Sequence, residues 1–179
     1  MTATLYFAYG SNMLHARLAA RCPSARALFV AHAPGWDIDF SKRGQDLSGK
    51  ATLVRASHPG AIAYGVVFEV ADSEMPDLDR FEGRGNGYER DDDFAVIRSD
   101  TGDDIAAKTY IAAPTAIDPS LRPFDWYHAL VLAGARQNNL PAPHISRIQS
   151  QTFTPDPRPD RPQRREALRV LELSGFGLR

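Results

Sequence analysis

The sequence has 179 residues, of which 43% are hydrophobic and 24% are charged, and its formal net charge at pH 7 is −1. These values are close to the average of globular proteins, so they exclude an intrinsically disordered chain and a membrane-spanning class. The near-zero net charge argues against nucleic acid as the main partner, because binding phosphates normally requires an excess of basic residues.

The length predicts one main folded domain with a distinct tail. Residues 1–150 form the predicted domain, and residues 151–179 form a Pro/Arg-rich linker and a C-terminal helix that packs on the same domain. The single cysteine, Cys22, excludes an intramolecular disulfide and is typical of a reducing compartment. The sequence shows neither a leader pattern nor an apolar run of membrane-spanning length. We therefore expect a cytoplasmic protein with no membrane partner.

The first element along the chain, residues 5–13, predicts a buried strand, a sharp turn and the start of a helix. Residues 5–9 are an unbroken apolar and aromatic run, which is typical of a strand buried on both faces. Gly10 permits a turn that a side chain would obstruct, and Ser11 or Asn12 can cap the following helix. The free amides of such a turn can bind an anion or a developing oxyanion. An ordinary strand–turn–helix joint with a polar cap has the same local pattern.

Strands dominate the first two thirds of the chain. The predicted strands cover residues 26–33, 36–40, 51–55, 61–70, 88–98 and 105–112. The predicted helices cover residues 14–21, 72–82 and about 123–139. Strands that follow one another without alternating helices indicate an α+β fold. We expect a small mixed, mostly antiparallel, barrel-like sheet with flanking helices.

Glu82 is the strongest candidate for acid–base chemistry. In the predicted helix, Met75, Leu78 and Glu82 fall at positions i, i+3 and i+7, so the carboxylate shares a face with two core residues. Partial burial and the negative end of the helix dipole both favour its protonated form, which suits a general acid–base. The pattern alone is equally compatible with a solvated glutamate, or with one paired to Arg80, Arg84 or Arg90.

Other reactive residue types give no chemical pattern. The five histidines lack metal-ligand spacing, and Cys22 has no identifiable partner, so we expect no metal and a structural cysteine. The glycine-rich residues 83–87 follow a helix and precede a strand, which is the reverse of a dinucleotide-binding loop. On their local patterns, Tyr88 and Tyr127 are packing residues with a tethered hydroxyl.

Three segments taken together resemble the gamma-glutamylcyclotransferase family, also described as gamma-glutamylcyclotransferase-like or AIG2-like. They are YFAYGSNM at 6–13, LDRFEG at 78–83, and Tyr127 followed by Gly134-Ala135 and Asn139-Leu140-Pro141. Their order and their spacing both fit the family. Weaker matches are found in residues 36–40, 49–52 and 64–68. The resemblance runs from about residue 5 to residue 148. It implies a small mixed barrel and a cofactor-free enzyme that converts a gamma-glutamyl amino acid or amine to 5-oxoproline and a free amine.

The resemblance also implies roles for individual residues. Glu82 matches the acid–base residue of the family, Tyr88 matches a tyrosine shortly after it, and Tyr127 matches a tyrosine on the far side of the pocket. The segment that matches the substrate loop consists of Tyr6, Phe7, Ala8, Tyr9, Gly10, Ser11 and Asn12. The implied partner is a small gamma-glutamyl substrate, and a homodimer is left open.

Two other functions fit the same residues. One is a non-catalytic module that binds a carboxylated metabolite or a peptide end. The other is a tailoring cyclotransferase that removes a gamma-glutamyl protecting group in secondary metabolism. Residues 84–86 lengthen the approach to Tyr88, and the chain after residue 148 matches nothing family-wide, so the leaving group is left open. Glutathione is disfavoured, because the glutathione-specific relatives usually begin with a different glycine-turn motif.

Overall fold

The chain folds around a closed five-stranded barrel. The computed structural model describes residues 2–177. Met1, the first residue of the predicted domain, and Leu178 and Arg179, the last residues of the predicted tail, lie outside the described residues. The strands are β1 Ala3–Ala8, β2 Arg26–Pro34, β3 Trp36–Arg43, β4 Gly49–Arg55, β5 Ile62–Ala71, β6 Tyr88–Arg98 and β7 Asp104–Ala112. The α-helices are α1 His15–Ala19, α2 Met75–Glu82, α3 Asp125–Gln137, α4 Ala142–Gln149 and α5 Pro162–Leu173.

The barrel has the strand order β1-β5-β2-β6-β7, and β3 pairs with β4 in a separate two-stranded sheet. Neighbouring barrel strands are antiparallel, except where β7 meets β1 in a short parallel contact between Tyr6 and Lys108 that closes the barrel. The predicted α+β class with a mixed, mostly antiparallel, barrel-like sheet is therefore confirmed. None of the helices within residues 2–177 is long and apolar enough to cross a membrane.

Strand β5 is buried on both faces, although its alternating pattern predicts only one face on the core. Val67 is fully buried on the same face as its β1 neighbour Phe7, whose ring stacks on Phe94 with 6.0 Å between the centroids. On the other face, the Phe68 ring packs edge-on against His15 of α1 at 5.5 Å. Helix α1 thus covers the face of β5 that carries Phe68.

Two of the predicted helices differ from the observed ones. The helix predicted over residues 14–21 is the shorter α1, His15–Ala19, which is preceded by a 3₁₀ turn, Ser11–Met13, and neither segment has a side-chain cap. The cap predicted at Ser11 or Asn12 is therefore wrong, because both side chains are used in tertiary contacts. The helix predicted over residues 72–82 begins with a 3₁₀ turn and becomes α2 at Met75. It ends at Gly83 in the left-handed conformation, φ 68°, as its glycine predicts.

The tail is fixed to the domain by a buried carboxylate. Helix α5 packs against α3 and α1. In the segment before it, the Asp156 carboxylate accepts hydrogen bonds from Trp126 Nε1 at 2.8 Å and from Arg161 Nε at 2.6 Å. Trp126 belongs to α3, so this carboxylate ties the tail to the helix that packs on the turn after β1.

Asp156 gives the fold a pH dependence. Burial raises the pKa of Asp156, but hydrogen bonds from Arg161, the Arg158 amide and Trp126 outweigh it and lower the pKa from 3.8 to about 2. Because the folded value is the lower one, the stabilisation is complete above about pH 4 and is lost as the pH falls through about 2. We expect Asp156→Asn to be less stable than the parent near neutral pH, with a difference that narrows towards pH 2. Urea unfolding followed by tryptophan fluorescence at a series of pH values measures this. A pH-independent difference would contradict it.

Candidate active site

The carboxylate of Glu82 lies at the end of α2 in a fixed orientation. Its Oε1 accepts hydrogen bonds from Asn12 Nδ2 and Arg21 Nη1, both at 2.8 Å, and Arg21 Nη1 also donates to Asn12 Oδ1 at 3.0 Å. The Glu82 and Arg21 side chains are only 15% and 13% exposed. Within residues 2–177, Oε2 of Glu82 accepts no hydrogen bond. One carboxylate oxygen is anchored, and the other is open to a ligand.

Glu82 is not paired with any of the three arginines that the sequence suggests as partners. Arg80 bonds to Asp77, and the guanidinium groups of Arg84 and Arg90 both bond to Asp79. The partner is Arg21, which lies 61 positions away in the chain. Burial raises the pKa of Cys22 to about 11, so this thiol stays protonated and unreactive near neutral pH.

The turn after β1 uses its polar side chains to build a pocket wall. Asn12 Nδ2 donates to the Tyr6 hydroxyl at 3.0 Å, and Arg17 Nε donates to Ser11 Oγ at 3.1 Å. The amides of Gly10, Ser11 and Asn12 donate no hydrogen bond to any atom of residues 2–177. They are therefore available to a ligand. A three-residue 3₁₀ turn has little macrodipole, so anion binding here depends on these individual amides.

A small pocket joins Glu82 to this turn. It is lined by Tyr6, Tyr9, Gly10, Ser11, Asn12, Ala51, Glu82, Tyr88, Tyr110 and Tyr127. Two of the predicted substrate-loop residues, Phe7 and Ala8, are not among these lining residues and lie buried in β1. A Cβ at Gly10 would lie 3.2 Å from the Cβ of Ala51, so a larger residue there would require this wall to shift by a few tenths of an ångström.

Three of the tyrosine hydroxyls in the pocket, those of Tyr9, Tyr88 and Tyr127, are held by backbone atoms. Tyr88 donates to the Ala51 carbonyl at 2.5 Å, and the Ala51 amide donates to the Tyr127 hydroxyl at 3.1 Å. Tyr9 donates to the carbonyl of Tyr110. Burial raises the pKa of Tyr88 and of Tyr127 above the usual value, so both hydroxyls stay neutral and act as hydrogen-bonding groups.

Three residues of the site have no role in the sequence-based prediction: Arg21, Ala51 and Tyr110. Ala51 falls in residues 49–52, which resemble the family, but nothing in that segment indicates that its backbone fixes two tyrosines. Tyr110 lies in the predicted strand 105–112, and its hydroxyl donates to Asp79 Oδ1 at 2.7 Å. In the part of the chain that the structure describes, no group of three or more His, Cys, Asp or Glu side chains is arranged to hold a metal ion.

Comparison with known proteins gives consistent matches. A sequence model of the family Gamma-glutamyl cyclotransferase, AIG2-like matches residues 6–128. This segment contains the turn after β1, Glu82, Tyr88 and Tyr127. The human gamma-glutamylcyclotransferase is 30% identical over 154 residues, covering 82% of this chain and 77% of the human one, and the mouse gamma-glutamylcyclotransferase is also 30% identical. A solved gamma-glutamyl cyclotransferase structure, 25% identical, superposes with a TM-score of 0.82 over 96% of this chain and 99% of that one. This chain belongs to the gamma-glutamyl cyclotransferase, AIG2-like family.

Proposed function

We propose that this protein is a gamma-glutamylcyclotransferase that converts a gamma-glutamyl amino acid or amine to 5-oxoproline and a free amine. The observation that carries the proposal is the Glu82 carboxylate. One of its oxygens is anchored by Asn12 and Arg21, and the carboxylate lines a small pocket together with free amides and neutral tyrosines. The relatives that bear this name support the same reaction.

The reaction needs a proton carrier and no nucleophilic side chain. The alpha-amine of the substrate attacks its own gamma-carbonyl carbon, so a ring C–N bond forms and the carbonyl oxygen becomes an oxyanion. Glu82 accepts the proton that the attacking nitrogen loses. When the oxyanion collapses, the C–N bond to the leaving amine breaks, and Glu82 returns the proton to the leaving nitrogen. The bonds and protons balance without a cofactor.

The rest of the pocket would position the substrate. A gamma-glutamyl chain must fold back on itself to cyclise, and a small pocket with rigid walls favours that near-attack shape. The free amides of residues 10–12 are suited to a carboxylate or to the oxyanion. Arg21, 2.8 Å from Oε1, complements the charge of the carboxylate that receives the proton.

A substrate panel tests this function. It contains gamma-glutamyl amino acids, gamma-glutamyl amines, epsilon-linked gamma-glutamyl-lysine and glutathione, each assayed for 5-oxoproline and for free amine. We expect equal amounts of the two products from at least one member, and no turnover of the matched compound whose alpha-amine is acetylated. Thermal stabilisation by 5-oxoproline or glutamate, without turnover of any member, would overturn the proposal in favour of a binding module.

A further inference from the structure

A wider cleft opens beside the tyrosine pocket. The two share Ser11, Glu82, Tyr88 and Tyr127. In the proposed reaction, Glu82 protonates the leaving nitrogen, so the leaving group must lie next to a residue that lines both spaces. The wider cleft is therefore the space into which the leaving group extends.

The cleft is rich in basic side chains, and nearly all of them are neutralised by a carboxylate. Arg21 pairs with Glu82 at 2.8 Å, and Lys50 pairs with Asp46 at 2.8 Å. The other two pairs are Arg17 with Glu166 at 3.6 Å and Arg80 with Asp77 at 2.8 Å. Among the cleft residues within the described range 2–177, the basic side chain that remains without an ion pair is Lys42.

Lys42 is a largely buried residue that lines the cleft. The residue is only 7% exposed, and its Nζ donates no hydrogen bond to any atom of residues 2–177. The ammonium lies 4.7 Å from the centre of the Tyr88 ring, and the absent side chain of Gly87 leaves room for the lysine, since a Cβ there would lie 2.9 Å from its Cε. Tyr88 is itself fixed by its hydrogen bond to Ala51.

Partial burial of a charge without a carboxylate partner is unfavourable, because the group loses part of its hydration and gains no ion pair in return. Burial lowers the pKa of Lys42, and the negative charges of Glu82 and Asp46 offset this only in part. A carboxylate placed against Nζ would restore the favourable environment of the charged ammonium. A released amino acid carries such a carboxylate, one carbon away from its nitrogen, whereas a simple amine does not.

We propose that Lys42 binds the carboxylate of the amino acid that is released, and so makes a gamma-glutamyl amino acid a better substrate than a gamma-glutamyl amine of the same size. This inference rests on the proposed function. It assigns to Lys42 a role in specificity and leaves the proton transfer to Glu82.

Gamma-glutamyl-glycine and gamma-glutamyl-methylamine test the inference, because they differ only in the carboxylate of the leaving group. We expect kcat/KM of the parent protein to be about tenfold or more higher for the glycine compound, because one hydrogen-bonded charge pair contributes binding free energy of that size. In Lys42→Met the preference should fall to about one through loss of activity on the glycine compound alone. Lys42→Arg should keep most of the preference for the glycine compound. Lys108→Met is the matched control, since Lys108 pairs with Asp92 and lines neither space.

The outcomes separate the two proposals. A parent protein that turns over neither compound nor any member of the panel overturns both. A parent protein that turns over both, with a preference unchanged in Lys42→Met, overturns the role of Lys42 alone. An equal loss on both compounds in Lys42→Met also overturns it, because it places Lys42 in binding the gamma-glutamyl part or in holding the pocket together.

Discussion

Replacing Glu82 by Gln is expected to abolish 5-oxoproline release from a protein that remains folded. The amide oxygen of glutamine can accept the same two hydrogen bonds, from Asn12 and Arg21, so the end of α2 keeps its contacts. The amide cannot carry a proton between two nitrogens. General acid–base catalysis is worth about 10²- to 10⁴-fold, so we expect kcat to fall by about a thousandfold. Single-turnover assays of 5-oxoproline, with circular dichroism on the same samples, measure both properties.

Glu89→Gln provides the matched control for this variant. Glu89 is exposed on β6, outside the pocket, so the same chemical change there should leave kcat unaltered. A Glu82→Gln protein that retained more than about a tenth of the parent kcat would remove Glu82 from proton transfer, and the pocket would need another carrier.

The second large effect is expected from Gly134→Ala. Gly134 lies in α3 directly against the turn after β1, where a Cβ would lie 2.7 Å from the Leu14 nitrogen and 2.9 Å from the Met13 carbonyl carbon. Both are backbone atoms, which cannot rotate out of the way as a side chain can. The added methyl group must therefore push the helix and the turn apart, and overpacking of this kind costs about 1–3 kcal/mol.

The direction of the stability change is diagnostic at this position. In an open helix, Gly→Ala stabilises by about 1 kcal/mol through helix propensity alone. We expect Gly134→Ala to lower the melting temperature by about 5 °C instead, and to raise KM because the turn that lines the pocket moves. Thermal denaturation and steady-state kinetics measure the two effects. A melting temperature equal to or above that of the parent would contradict the packing of α3 on the turn.

Much of the fold could be predicted because its signals are local. The strand segments 88–98 and 105–112, with turn residues between them, predict the hairpin of β6 and β7 within one residue at each end. The strand order predicts a barrel-like sheet, but local patterns do not identify the contact that closes it, since Tyr6 and Lys108 lie about a hundred positions apart. The separate pairing of β3 with β4 has the same cause, because strand patterns do not specify which partners meet.

The candidate site, like the fold, could be predicted only where its signals are local. Helical spacing brought Glu82 to the core face of its helix, and the structure places it in the pocket. Its partner Arg21 has no local signal, because the pair joins two segments that meet only in the folded chain. Lys42 lies beyond the predicted end of its strand at residue 40, whereas β3 continues to Arg43. Local reasoning also predicted a cap at Ser11 or Asn12, but tertiary partners bind those side chains instead.

In the proposed reaction, the alpha-amine of the substrate, and not water, attacks the gamma-carbonyl carbon while Glu82 moves the proton. The most direct measurement is mass spectrometry of the product formed from gamma-glutamyl-glycine in water enriched in ¹⁸O. We expect 5-oxoproline that carries no oxygen from the solvent. Glutamate carrying one ¹⁸O atom would show hydrolysis and would contradict it.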